Sequence, residues 1–100
     1  MKITCGDITV ELNTLQCREL DYLARWRADL AYITERWGKK EPEAEVSRKS
    51  VEFAFTVLDR LHVPFWLQNA ALAYGEDWRN RQREGFEHYL TRMGYEVAKT

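Results

Sequence analysis

The stretch "RNRQREGFEH" holds the most chemically pointed pair in the chain. Arg83 precedes His88 by five positions, an R-x4-H spacing. A histidine can move a proton at a ribose 2′-hydroxyl while a guanidinium holds the neighbouring phosphate. That division of labour is what RNA cleavage needs. Two other groups of residues suggest different chemistry. His62, Trp66, Gln68, Asn69 and Trp78 lie close together in sequence, with both amides interrupting the most apolar segment. Amides converging in an aromatic cleft would suit a small ligand. Cys5 and Cys17 are the thiols, one beside a turn and one early in a helical stretch, where a helix N-terminus can lower a thiol pKa.

The R-x4-H spacing resembles that of the HEPN family, small helical ribonucleases in which an Arg and a His face each other across a dimer. The resemblance covers six residues. It implies an RNA-cleaving dimer with Arg83 and His88 as its catalytic pair. The position after the Arg, polar in the family, is Glu84 here, an acid beside the expected phosphate. The same stretch reads more simply as a solvated helix face, with Asp77–Arg81, Arg83–Glu87 and Glu84–His88 at i,i+4 spacing. That is the preferred reading, and no catalytic residue is assigned.

Other chemistries lack their patterns. A carboxylate-bridged di-metal bundle needs Glu-x-x-His on two helices. The chain offers only Asp59-x-x-His62, and Glu84 four residues before His88, so no metal is expected. There is no zinc-spaced Cys/His set, no G-x-S-x-G and no glycine-rich phosphate loop, and no cofactor is expected. Arg79, Arg81 and Arg83 do not share one helical face, and Glu76, Asp77, Glu84 and Glu87 offset them, so nucleic acid is not an expected partner. The formal net charge of −1 agrees.

The elements that must position these residues follow from periodicity. A hundred residues with 13% aromatics suit one domain, 1–100, with ample core material. Met1 to Leu12 reads as a two-stranded antiparallel hairpin around Gly6-Asp7, a loop of type I′ or II′. The implied register puts Cys5 opposite Ile8, Thr4 opposite Thr9, Ile3 opposite Val10, Lys2 opposite Glu11 and Met1 opposite Leu12. One face is then apolar and the other carries threonines and charges.

After the hairpin the chain reads as helices over about 14–37, 44–62 and 65–93, with a possible break at Gly75 in the last. Asn13 with Gln16 has capping-box spacing, and Gly38 and Gly94 are placed to end helices. The last six residues are expected to fray. Leu20, Leu23, Leu30 and Trp37 mark the core stripe of the first helix. The second helix is apolar on two sides, one through Val46, Phe53 and Val57, the other through Val51, Phe55 and His62. The fold class is therefore mainly α, a three- or four-helix bundle with an N-terminal hairpin.

A helix apolar on two sides, a third apolar nearly all round at its start and a one-faced hairpin leave surplus apolar surface for a chain this size. A homodimer is the expected remedy. Its seam is expected at Val51, Phe55 and His62, or at the hairpin through Ile3 and Val10. Two unpaired cysteines, expected to be buried, and the lack of an apolar leader or an 18-residue apolar run point to a cytoplasmic protein with no membrane contact. The expected function is a small non-enzymatic helical protein acting through protein–protein contacts, a homodimeric regulator or accessory factor. The alternatives are a HEPN-like ribonuclease, or a helical domain binding a small ligand or nucleic acid.

Overall fold

The computed structural model describes residues 1–98. Its elements are β1 (Lys2–Cys5), β2 (Ile8–Glu11), α1 (Thr14–Trp37), α2 (Pro42–Arg60), α3 (Phe65–Glu76), α4 (Trp78–Arg83), α5 (Phe86–Arg92) and β3 (Glu96–Ala98). The mainly α architecture with an N-terminal hairpin is as the sequence predicts.

β1 and β2 pair in the expected register, from Lys2 opposite Glu11 to Cys5 opposite Ile8. Gly6 has φ +61°, and Asp7 is not among the positive-φ residues, which identifies a type II′ turn rather than I′. Met1 and Leu12 close the hairpin's open end with two backbone bonds of 2.7 and 3.1 Å. Ile3 and Leu12 are buried, and the Thr4 and Thr9 hydroxyls bond each other on the opposite face. The apolar face is covered only in part. Ile8 and Cys5, which flank the turn, are exposed.

The C-terminus corrects an expectation. Residues 95–98 do not fray. Ile3 pairs with Val97 and Thr4 with Glu96, so β3 completes a sheet of order β2-β1-β3. The chain turns into β3 at Gly94, where the Gly94 and Tyr95 amides bond back to Thr91 and Leu90. The remaining two residues of the expected frayed end lie outside the described ones.

α1 is the central helix. Asn13 and Gln16 form the reciprocal capping box, and the Gln16 amide also donates to the Leu61 carbonyl, tying the start of α1 to the end of α2. α2 packs along one side of α1 and α3 along the other, giving a slab of 42 × 29 × 19 Å. Leu20, Leu23, Leu58, Leu67 and Leu90 are fully buried in one core with Ile3. Each such leucine contributes about 1.5–3 kcal/mol relative to exposure.

α2 begins two residues earlier than expected because Pro42 sits in its first turn, where its missing N–H costs no bond. It also ends earlier. His62 adopts φ +59°, with the His62 amide bonded to Asp59 and the Val63 amide to Leu58. These are the two bonds of a Schellman motif, with His62 in the place glycine usually fills.

The long third helix is divided, but not at Gly75. Gly75 lies inside α3, buried, with its Cα face on the Ala24 backbone of α1. The break falls at Asp77, whose side chain accepts from the Asn80 amide to start α4. A second break at Glu84-Gly85 separates α4 from α5.

Candidate functional site

The buried line of α2 is Ala44, Ser47, Val51, Ala54 and Leu58, at alternating spacings of three and four. Four of these are small or β-branched, so α2 can lie close against α1. The bulkier Val46 and Phe53 do not fit that seam. They stand to one side of it, 60% and 69% exposed.

On that same side α1 presents Tyr22, Trp26, Ile33 and Trp37. Two concavities of about 460 and 420 Å³ lie between the helices here, and they share Trp26 and Val46. They form one groove. Tyr22 and Phe53 line one end and Tyr32 and Trp37 the other, so the two helices run antiparallel along it. From Tyr22 to Trp37 it spans roughly 22 Å, fifteen residues of helical rise. Trp37 is 58% exposed. Glu19 and Lys49 edge the first end; Asp29 and Glu43 edge the second.

The second end is braced from behind. Tyr32 makes edge contacts with Trp37 and Trp78, at 5.7 and 5.0 Å between centroids. Arg36 lies over the Tyr32 ring at 5.2 Å. The Trp78 indole N–H donates to Glu35 Oε2 at 2.8 Å, and Arg79 grips both Glu35 oxygens. These bonds, Arg79 first and Trp78 second, hold the Glu35 carboxyl at a pKa of about 2. α4 thereby clamps the C-terminal half of α1. The groove offers apolar area with a mixed charged rim.

Within the single chain, the residues proposed for RNA cleavage lie on separate elements. Arg83 ends α4 and His88 sits in α5, both exposed, with the helix broken between them. Between them lies Glu84, a buried carboxylate. It accepts from Arg92 at 2.8 and 3.0 Å and from Asn80 at 2.8 Å, with His88 Nδ1 at 3.6 Å. Its backbone carbonyl accepts the Tyr74 hydroxyl at 2.6 Å. Arg92, then Asn80, pull its pKa to about 2, far too low for a general base near neutrality. Of the expected i,i+4 pairs, Glu84–His88 is present. Arg81 turns instead to Asp21, at 3.7 Å.

The proposed ligand cluster is dispersed. Gln68 is buried, its amide donating to Asp59 Oδ1 and the Val63 carbonyl at 2.9 Å each, so it fastens α3 to the end of α2. Its Oε1 has no partner among the described residues. Asn69 and His62 face outward. Trp66 stacks on Tyr95 at 5.6 Å, while Trp78 lies against α1.

Of the residues expected at a seam, Ile3 and Val51 are buried in the chain's own core, which removes them from any surface. Phe55 and Val10 are half-buried against that core, and His62 is exposed at its turn. Cys5 is exposed and Cys17 half-buried, against the expectation that both are buried; burial pushes the Cys17 thiol up. Among the described residues no cluster of three or more His, Cys, Asp or Glu could hold a metal, and no helix is long and apolar enough to cross a membrane.

Trp37, Val46 and Phe53 have the spacing of core stripes in the sequence, which hides the groove. The available signal was the line Ala44, Ser47, Val51, Ala54 and Leu58, small at three of its five positions. Two adjacent helices need only one shared seam, and that line is better suited to close packing than one through Phe53.

Comparison with protein-family models, curated proteins and solved structures finds no match to this chain.

Proposed function

We propose that this chain is a non-enzymatic helical protein that acts through protein–protein contacts, that it is itself a homodimer, and that the α1–α2 groove is its contact surface. One observation carries the reading: Trp37, Val46 and Phe53 stand more than half exposed along a single continuous groove. Single exposed apolar side chains are ordinary, but a contiguous aromatic strip on a small chain marks an interaction site. Aromatic residues are also the type most enriched at interface centres.

The strip faces outward because α2 spends its small residues on the intramolecular seam. Closing the strip within the chain would require α2 to rotate and bury Phe53 against α1, where Ala54 now sits. A second protein surface covers it without that rearrangement.

Gel filtration with light scattering at tens of micromolar tests the dimer. The expected mass is about twice the 11.9 kDa of the chain. A single-chain mass at that concentration contradicts it.

A further inference from the structure

Resting on that reading, we infer that the occupant of the groove is the same groove of a second copy, turned end for end about a twofold axis through Trp26 and Val46. Three features point to it.

The first is that the groove is close to its own complement. Trp26 and Val46 line both concavities and so mark its centre. Each end carries large exposed aromatics, Phe53 and Tyr22 at one and Trp37 at the other. An end-for-end rotation about that axis lays α1 on α1 and α2 on α2, with the Trp37 end of one protomer over the Phe53 end of the partner subunit, twice per dimer. An isologous contact of this kind closes on itself and leaves no patch to propagate.

The second is charge. Lys49 edges the Phe53 end, while Asp29 and Glu43 edge the Trp37 end. The rotation lays α2 on α2 and so brings Lys49 to Glu43 of the partner subunit, with Asp29 of the partner subunit on the facing rim of the same end. Glu19 shares the Lys49 end, and Arg36, over Tyr32, shares the acidic end, so both ends carry both signs. A parallel superposition, with the twofold along the groove, would instead set Asp29 against Glu43 of the partner subunit, acid on acid, which is repulsive.

The third concerns the competing seam. β2 has a free outer edge, and two copies could pair there antiparallel about Thr9. That pairing would set Asp7 opposite Glu11, acid against acid at both ends of the ladder, which is destabilising. The edge of β1 is occupied by β3. In that register the β2 edge is the poorer route to a dimer.

A charge exchange tests the register. Lys49→Glu and the double variant Asp29→Lys/Glu43→Lys are surface changes, and circular dichroism confirms that each still folds. Light scattering is then read on each alone and on their equimolar mixture. Each variant alone is expected to lose dimer, with a dissociation constant raised tenfold or more. The mixture is expected to recover a mass near two chains, because the exchanged charges match across the axis. A wild-type dimer that neither variant weakens, or a mixture that stays dissociated, overturns this register while leaving dimerisation standing. A wild-type chain that is monomeric overturns the register together with the reading beneath it.

Discussion

The Cα of Gly75 packs against the Ala24 backbone, close enough that a Cβ there would lie 2.9 Å from the Ala24 Cα and nearer still to its carbonyl oxygen. Backbone cannot retreat as a flexible side chain can. The absence of a side chain is therefore what lets α3 approach α1 at this crossing. Gly75→Ala gains about 1 kcal/mol in helix propensity but must push the two helices apart. The expected net effect is a loss of about 1–3 kcal/mol, as for an overpacked core. Urea denaturation measures it. A variant that gains stability would show that the crossing is not tight.

Acid should weaken the link between α4 and α5. Glu84 has a pKa near 2 in the folded chain against an ordinary value of 4.5, chiefly through Arg92. Its folded value is depressed, so its stabilising contribution is present above about 4.5. That contribution is lost as the pH falls from there towards 2. Glu84→Gln should lower the urea midpoint at pH 7 and flatten its decline below pH 4.5. Glu35, held low by Arg79 and Trp78, will leave a residual slope. A variant whose midpoint falls in acid as steeply as the wild type's would remove Glu84 from this role.

His62 should be improvable. It holds φ +59° at the end of α2, a region that disfavours a residue with a Cβ by about 1–2 kcal/mol. Part of that is offset because glycine loses more entropy on folding. His62→Gly is therefore expected to raise stability by a few tenths to about 1 kcal/mol, and His62→Val to lower it. Thermal melts of both variants check the pair. A glycine variant less stable than the wild type would mean that the imidazole makes a contact worth more than the strain.

Local signals were the most legible part of the chain. The hairpin register, the Asn13–Gln16 cap and the bounds of α1 depend on neighbours within a few residues, and the sequence predicts each of them. What it hides depends on distant partners. Gly75 reads as a helix breaker until Ala24 is known to lie beneath it. Residues 96–98 read as a loose end because the strand they join is Lys2–Cys5, at the other end of the chain. The groove was hidden for the same reason. Val46 and Phe53 have the periodicity of core residues, and only the choice of Ala44, Ser47 and Ala54 for the seam turns them outward. The R-x4-H spacing falls across the interruption at Glu84-Gly85, which puts Arg83 in α4 and His88 in α5.

The central claim is that the α1–α2 groove, rather than exposed apolar surface in general, is where this protein makes contact. Phe53 and Phe65 separate the two, because they are 69% and 68% exposed and only Phe53 lines the groove. Light scattering on Phe53→Glu and Phe65→Glu, side by side with the wild type at tens of micromolar, is the most direct measurement. The account predicts a dimer for the wild type and Phe65→Glu, and a folded single chain for Phe53→Glu. A dimer that survives Phe53→Glu, or that is lost with Phe65→Glu alone, would contradict it.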